Sequence, residues 1–448
     1  MASGRRRPVL RHPAQVVAVA FAAVATIGTL LLWLPTSRRG VGGATFVEAL
    51  FTAVSALCVT GHTIVDTPTH WSTGGHVVIL ALAQVGGFGI MTSASLLGVL
   101  AARRMGFRTR LLASTESRGL GLGDVRVVLL GVVKVSLTVE AVVAVMLSTR
   151  LYVGYGETLP RAMWEGTFLA ISSFNNAGFA LRSDSMVGFA EDPWMLLPSV
   201  AATVIGGLGF PVLIELRRHL RQPQRWSVHT KLTVVTSSVL LLVGWLFFTL
   251  NEWRNEATFG ALAWWARPMA GLFLAVGTRS SGFNSVDVAE LNSGSWLVAD
   301  VFMFIGGGSA STAGGIKVTT FALLLMVMIA EFRGESSVSV FARRIPERVY
   351  RQALTVALVS VGVIVGSTIL LVETTRLPAD QVLFEVVSSF ATVGLSTGLP
   401  AQMPQHAQVV LTVLMFVGRL GPITLGSALA LRERRRMYEY PEGRPIIG

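Results

Sequence analysis

The chain has 448 residues, of which 52% are apolar and only 14% are charged, and its mean hydropathy is strongly positive. A soluble domain leaves about a third of its surface exposed, so it cannot hide this much apolar surface. These values predict a protein with many membrane-spanning segments. The single cysteine, Cys58, excludes a disulfide framework and a cysteine-based metal site.

The basic residues predict how the chain is oriented in the membrane. The formal net charge of +12 would by itself be compatible with a nucleic-acid partner. Most Lys and Arg residues, however, lie in clusters that alternate with apolar segments: 5–11, 103–126, 217–231, 333–351 and 432–444. This alternation follows the positive-inside rule, so it indicates a cytoplasmic face beside anionic lipid and no nucleic-acid binding. We expect a multi-pass protein of the cell inner (plasma) membrane with both termini in the cytoplasm.

Eight apolar segments approach or exceed the length of about 20 residues that a membrane span requires. In chain order they are 14–34, 76–101, 127–149, 194–216, 230–250, 296–330, 352–372 and 407–431. The first follows four arginines, but it is nearer to spanning length than to the apolar part of a signal peptide, so we expect a retained span. The sixth is too long for one regular helix and contains a cluster of glycines.

A shorter apolar stretch separates the two spans of each pair. These stretches are 45–57, 161–174, 267–278 and 381–391, and each is too short to cross a bilayer. Each lies on the side of the membrane that is poor in Lys and Arg. Such stretches are typical of re-entrant pore helices.

A glycine after each short stretch marks an internal repeat. The glycines are Gly61, Gly178, Gly282 and Gly394, at intervals of 117, 104 and 112 residues. A Phe and a Ser precede three of them by ten and six residues, whereas the third copy matches less well. The pattern predicts four units of span, pore helix, glycine loop and span at 14–110, 125–225, 228–345 and 350–432, with a cytoplasmic tail at 433–448.

Four such loops can meet on one axis, which gives an all-α integral membrane fold with eight transmembrane helices around one central pore. Glycine permits a left-handed backbone, so that carbonyl groups can point inward and replace the hydration shell of a cation. Close helix packing is the alternative role of the glycines, but four copies on one side of the membrane favour a filter. The predicted cation-binding residues are Val59, Thr60, Gly61, Asn176, Ala177, Gly178, Ser280, Ser281, Gly282, Thr392, Val393 and Gly394.

These loops resemble those of a known family. SALCVTGHTIVDT, SSFNNAGFAL, RSSGFNSVD and SSFATVGLSTG are similar to the four filter loops of the Trk/Ktr/HKT potassium transporter superfamily. GGGSASTAGGIKVTTF and FVGRLGPITL are similar to its third and fourth inner helices, and the length is nearer to the bacterial Ktr-type membrane subunit. The resemblance implies K+ uptake, K+ at the filter residues, and Na+ as a candidate activator. It also implies a homodimer with one pore per subunit and a separate cytosolic ring of KtrA/TrkA-like subunits that bind a nucleotide.

The glycine-rich segment (306–315) interrupts the sixth apolar segment. A continuous helix there would lose about 1 kcal/mol per glycine relative to alanine. One interpretation is a site of close helix packing; the resemblance implies an intramembrane gate below the filter. The implied gate residues are Gly306, Gly307, Gly308, Ser309, Ala310, Ser311, Thr312, Ala313, Gly314, Gly315 and Lys317.

Arg419 lies within the eighth apolar segment. An arginine at mid-membrane depth costs about 2.5–3.5 kcal/mol on insertion scales, so we expect it to face water or a partner. A buried ion pair with an acidic residue is one interpretation. The resemblance implies that it lines the pore below the filter, where its charge would act as a barrier to cations.

Four further polar residues need an interpretation. His62 follows the first glycine, and we expect it to be partly exposed at the outer mouth without binding a ligand. Arg279 must point away from the ion path, because its charge would otherwise repel cations. We interpret Lys134 and Glu140 as interface or packing residues.

Two other classes of function remain as alternatives. A symporter of sodium or another monovalent cation would be favoured by an acidic pair at the membrane midplane, and the sequence suggests none. An integral-membrane enzyme would need a catalytic cluster such as HExxH or GxSxG. The sequence contains no HExxH motif, and its GxSxG match at 394–398 falls within the fourth glycine loop, so we expect a transporter and not an enzyme.

Overall fold

The computed structural model describes residues 13–40, 43–103, 123–279 and 281–431. The helices are α1 (Pro13–Trp33), α2 (Phe46–Leu57), α3 (Thr67–His70), α4 (Thr73–Arg103), α5 (Gly123–Tyr155), α6 (Leu159–Asn175), α7 (Pro193–Leu208), α8 (Phe210–His219), α9 (Val228–Glu252), α10 (Arg267–Gly277), α11 (Ser293–Phe304), α12 (Val318–Phe332), α13 (Glu347–Thr375), α14 (Ala379–Phe390), α15 (Leu399–Gln402) and α16 (Gln405–Leu431). A short antiparallel hairpin of β1 (Ser339–Val340) and β2 (Arg343–Arg344) lies between α12 and α13. The 5–11 cluster, most of the 103–126 cluster, Ser280 and the tail at 433–448 lie outside the described residues.

The predicted spans correspond to the long helices. Among the described residues, five helices are long and apolar enough to cross a membrane: α1, α4, α5, α9 and α13. Helices α7 and α8 together form a sixth span that is bent by 102° at Gly209, which joins the two helices. The sixth and eighth predicted segments correspond to α11 with α12 and to α16.

Four short helices, α2, α6, α10 and α14, occupy the predicted positions of the pore helices, although α6 has 17 residues and is longer than predicted. Helix α2 begins with a capping box, in which Thr45 accepts from the amide of Glu48 and the Glu48 carboxylate accepts from the amide of Thr45. Each of the four pore helices contributes a buried phenylalanine: Phe51, Phe168, Phe273 and Phe384. By contrast, most residues in the apolar stretches of α5, α9 and α13 are not buried inside the protein. The pore helices therefore lie in the core, and the long helices surround them.

Candidate functional site

The four glycines form a closed ring. All have left-handed φ angles, of 86°, 72°, 66° and 93° in chain order. A β-carbon at Gly61 would lie 2.6 Å from the carbonyl oxygen of Ala177, and one at Gly178 would lie 2.7 Å from that of Ser281. Likewise, a β-carbon at Gly282 would lie 2.7 Å from Val393 O, and one at Gly394 would overlap Thr60 O. Each glycine therefore faces the next loop, and the fourth loop returns to the first.

The backbone of each loop is fixed by hydrogen bonds to its own pore helix. Two positions before the glycine in loops 1, 2 and 4, the residues Val59, Asn176 and Thr392 also have left-handed φ angles. The next amides, of Thr60, Ala177 and Val393, donate over 2.7–2.9 Å to the serine carbonyls at the ends of the helices. In loop 3 the amide of Ser281 donates to Gly277 O over 3.2 Å. Carbonyl groups of the same four residues thus lie beside the glycine ring, where they can act as cation ligands.

A polar network supports loop 2 from behind. Asn175 is the last residue of α6 and is fully buried. Its Nδ2 donates to Gln84 Oε1 over 2.9 Å and to Glu140 Oε1 over 3.2 Å, and Gln84 Nε2 donates to the same carboxylate over 3.0 Å. Glu140 is therefore a hydrogen-bonding partner of the loop, a contact that the interpretation as a packing residue missed.

The sixth apolar segment is interrupted as its glycines predict. Between α11 and α12 the chain forms a loop whose two ends run side by side, with Ile305 and Ile316 paired in a short parallel bridge. Gly306 N donates to Ile316 O over 2.9 Å, and Val318 N donates to Gly307 O over 3.0 Å. These bonds satisfy backbone groups that a straight helix would otherwise have paired, so the interruption is stable at membrane depth.

The glycine-rich segment packs against the loops and the bent span. A β-carbon at Gly314 would overlap the carbonyl oxygen of Ala391 and the hydroxyl of Thr392. Gly308 N donates to Gly207 O over 2.8 Å at the bend. Thr312 Oγ1 lies 3.5 Å from Phe174 O, at the end of pore helix α6. The segment therefore contacts loop 4, the end of pore helix α6 and the bend between α7 and α8.

Three cationic side chains contact the glycine-rich segment. Arg419 is buried, and its Nη1 donates to Thr312 O, with Thr392 Oγ1 at 3.5 Å. Within the described part of the chain, its partners are these oxygens and no carboxylate, which overturns the ion-pair interpretation. Lys317 Nζ donates to Ala313 O over 2.6 Å.

Arg279 also points towards this segment. Its Nη1 donates to Ser237 O over 3.0 Å, and its Nη2 lies 3.3 Å from Gly306 O. The guanidinium is thus held between α9 and the start of the glycine-rich segment. That its charge points away from the ion path stays a prediction.

The expectation that His62 is partly exposed is wrong. Its side chain is fully buried and lies between loops 1 and 4, with Nε2 3.3 Å from Glu385 Oε2. The sequence signal that was missed is Glu385 itself, an acid inside the short apolar helix α14. Asp300 of α11 interacts electrostatically with Glu385.

Comparison with known proteins agrees with this architecture. The TrkH family, described as cation transport proteins, matches residues 3–434. The chain is 36% identical to Ktr system potassium uptake protein B of Bacillus subtilis (strain 168) over 440 residues, which is 97% of each chain. It is 35% identical to Ktr system potassium uptake protein B of Vibrio alginolyticus over 446 residues, covering 99% of this chain and 97% of the relative.

The fold is similar to the crystal structure of the potassium transporter TrkH from Vibrio parahaemolyticus. The TM-score is 0.76 at 19% identity, covering 94% of this chain and 85% of that chain. At this identity the match shows a shared fold. Together with the family match over nearly the whole length, it places the protein among membrane transporters and not among enzymes. The chain belongs to the TrkH family of cation transport proteins.

Proposed function

We propose that the protein takes up potassium ions through the ring formed by its four glycine loops. The observation that carries this proposal is the closed contact of Gly61, Gly178, Gly282 and Gly394, each facing a carbonyl group of the next loop. Carbonyl oxygens can replace the hydration shell of K+. The names of the two similar Ktr proteins, both potassium uptake proteins, support K+ as the ion.

The proposed ion-binding residues are the three residues of each loop that end at the glycine. In loops 1, 2 and 4 they adopt the same turn: a left-handed residue comes first, then a residue whose amide donates to a serine carbonyl of the pore helix, and then the glycine. In loop 3 the same role falls to Ser280, Ser281 and Gly282, of which Ser280 lies outside the described residues. The alternative ion is Na+ or another monovalent cation, because backbone carbonyls alone do not determine which of these the ring prefers.

The glycine-rich segment is the proposed gate. It lies against Ala391 and Thr392 at the start of loop 4, so its position controls what can pass beyond the ring. Arg419 and Lys317 hold it through Thr312 and Ala313. The positive charge of Arg419 beside the loop also opposes the passage of cations, and we therefore assign it the role of pore barrier.

The proposed setting is the plasma membrane, with both termini in the cytoplasm. The alternation of basic clusters with apolar segments supports this orientation. The similar Ktr proteins are named as parts of a system, which supports a separate cytosolic partner. We propose a ring of nucleotide-binding subunits as that partner, a homodimer as the assembly, and Na+ as a candidate activator, as the resemblance to the superfamily implies.

Uptake of radioactive Rb+ by cells that lack their own potassium transporters tests this function. We expect the wild-type chain to restore uptake and K+ to compete better than Na+. Gly178→Asp should abolish uptake, because the added side chain would overlap loop 3. The matched control is Gly156→Asp, also at a left-handed position (φ 67°) but with no atom near its missing β-carbon.

Two results would contradict the proposal. Unchanged uptake by a folded Gly178→Asp protein would remove the ring from the ion path. Equal competition by Na+ and K+ would favour the alternative of a general monovalent cation transporter. Deletion of 309–313 separately tests the gate: uptake should rise, whereas a folded but inactive protein would show that the segment is no gate.

A further inference from the structure

His62 differs in chemistry from the residues that occupy the same place in the other loops. The residue after the ring glycine is Phe179 in loop 2, Phe283 in loop 3 and Leu395 in loop 4. These three side chains are apolar and buried, and His62 is buried with no exposed surface. A buried imidazole requires hydrogen-bonding partners, so its contacts show what it does.

The imidazole of His62 bonds to the neighbouring unit through both nitrogens. Nε2 lies 3.1 Å from Leu395 O and 3.1 Å from Ser388 Oγ, and Nδ1 lies 3.1 Å from Ser389 Oγ. Since a carbonyl oxygen can only accept, Nε2 carries a hydrogen and donates it. Ser388 in turn accepts from the amide of Gly394 over 3.1 Å and donates to Leu395 O over 2.7 Å. The imidazole of His62 is therefore linked through Ser388 to the amide of Gly394, one of the four ring glycines.

Glu385 is the second member of the cluster. It is fully buried, and its Oε1 accepts from Ser396 Oγ, from Thr397 N and from Thr397 Oγ1 over 2.7–3.0 Å. Its Oε2 makes no hydrogen bond within the described residues but faces His62 Nε2 at 3.3 Å. The carboxylate thus holds the chain that leaves loop 4 and at the same time faces the imidazole of loop 1.

The cluster lies where the ring is closed by residues far apart in sequence. Loops 1 and 4 belong to the first and last units, and their contact is the tightest of the four, since a β-carbon at Gly394 would overlap Thr60 O. The carbonyl of His62 is also fixed, because it accepts from Ser55 Oγ over 2.7 Å. Both ends of His62 are therefore held, the backbone by α2 and the side chain by α14 and loop 4.

We infer that His62 and Glu385 are positioning residues that set ion selectivity by fixing loop 1 against loop 4. The pair controls the separation of the Thr60 and Val393 carbonyls, and with it the size of the site that a dehydrated cation occupies. This inference rests on the proposed function and goes beyond it. It assigns K+ over Na+ discrimination to side chains behind the ring, in addition to the backbone carbonyls themselves.

The test is the ratio of the Na+ and K+ concentrations that halve Rb+ uptake, measured in cells and normalised to the amount of protein in the membrane. His62→Phe keeps an aromatic ring, as in loops 2 and 3, but removes every side-chain hydrogen bond. We expect the ratio to fall about five- to tenfold, as for the loss of one or two buried hydrogen bonds. His62→Gln, which keeps a donor, should recover part of the ratio.

His76→Phe is the matched control. His76 is also a buried histidine, with its Nε2 2.9 Å from the carbonyl oxygen of Thr67, but it lies on α4 outside the loops. We expect this variant to keep the wild-type ratio. An equal fall in His62→Phe and His76→Phe would show a general effect of losing a buried histidine and would overturn the inference.

Glu385→Gln tests the second residue if His62→Phe does not fold. It should lower the ratio too, because the amide group of the glutamine would face the N–H donor at His62 Nε2. The ratio for the double variant should fall no further than the ratios for the single variants. A folded His62→Phe or Glu385→Gln protein with the wild-type ratio would overturn the inference while leaving the proposed function intact. Failure of the wild-type chain to take up Rb+ would instead contradict the proposed function.

Discussion

Arg419 donates a hydrogen bond to the carbonyl oxygen of Thr312, and so joins the last membrane helix to the glycine-rich segment. The same guanidinium lies 3.5 Å from the hydroxyl of Thr392 in loop 4. One buried cation therefore contacts both the proposed gate and the proposed filter. These oxygens are the polar partners of Arg419 among the described residues, as expected for an arginine that must find a partner at membrane depth.

Arg419→Gln should raise the rate of Rb+ uptake. A hydrogen bond to a charged group contributes about 1.5–3 kcal/mol, and about 1.4 kcal/mol changes an equilibrium tenfold. Loss of the bond to Thr312 should therefore open the gate at least tenfold more often, by about one to two powers of ten, and loss of the charge should act in the same direction. Arg150→Gln is the control, because Arg150 pairs with Asp192 away from the segment. Unchanged or lower uptake by folded Arg419→Gln would contradict this role.

Gly178→Ala should abolish selective uptake, while Gly362→Ala should not affect it. At Gly178 the φ of 72° is unfavourable for alanine, and the new methyl group would lie 2.7 Å from Ser281 O. Gly362 lies in α13, where nothing is within 4 Å of a β-carbon, and alanine there should stabilise the helix by about 0.5–1 kcal/mol. Thermal unfolding and Rb+ uptake, measured on both variants, check the two expectations. Normal uptake by Gly178→Ala would show that the ring can accommodate a β-carbon at this position.

Glu140→Leu should destabilise the protein, because it leaves the amides of Gln84 and Asn175 without their shared acceptor. A buried polar group that loses its partner costs about 1–3 kcal/mol. The midpoint of thermal unfolding in detergent should therefore fall. The midpoint of Glu140→Gln, which keeps an acceptor oxygen, should fall less. Equal midpoints for the wild type and Glu140→Leu would show that the network contributes nothing to stability.

The positions of the loops could be predicted from the sequence because they depend on backbone geometry. A glycine is required wherever φ is positive and a neighbouring backbone approaches closely, so Gly61, Gly178, Gly282 and Gly394 recur whatever their neighbours. The interruption of the sixth span was predictable for a related reason. Five glycines in ten residues disfavour a helix, whichever residues pack against them in the folded protein.

The side-chain contacts between units could not be predicted in this way. His62 and Glu385 are 323 positions apart, and nothing in either local sequence specifies that their units adjoin. Arg419 and Thr312 also belong to different units. A sequence pattern shows that such polar groups need partners, but only the arrangement of the four units determines which partners they meet.

The most direct test of the account is a crystal structure of the protein grown with Rb+, with the ion located by its anomalous scattering. We expect a peak on the axis of the four loops, coordinated by the carbonyl oxygens of Thr60, Ala177, Ser281 and Val393. Absence of a peak there, in a protein that takes up Rb+ when reconstituted into vesicles, would contradict the assignment of the ring as the filter.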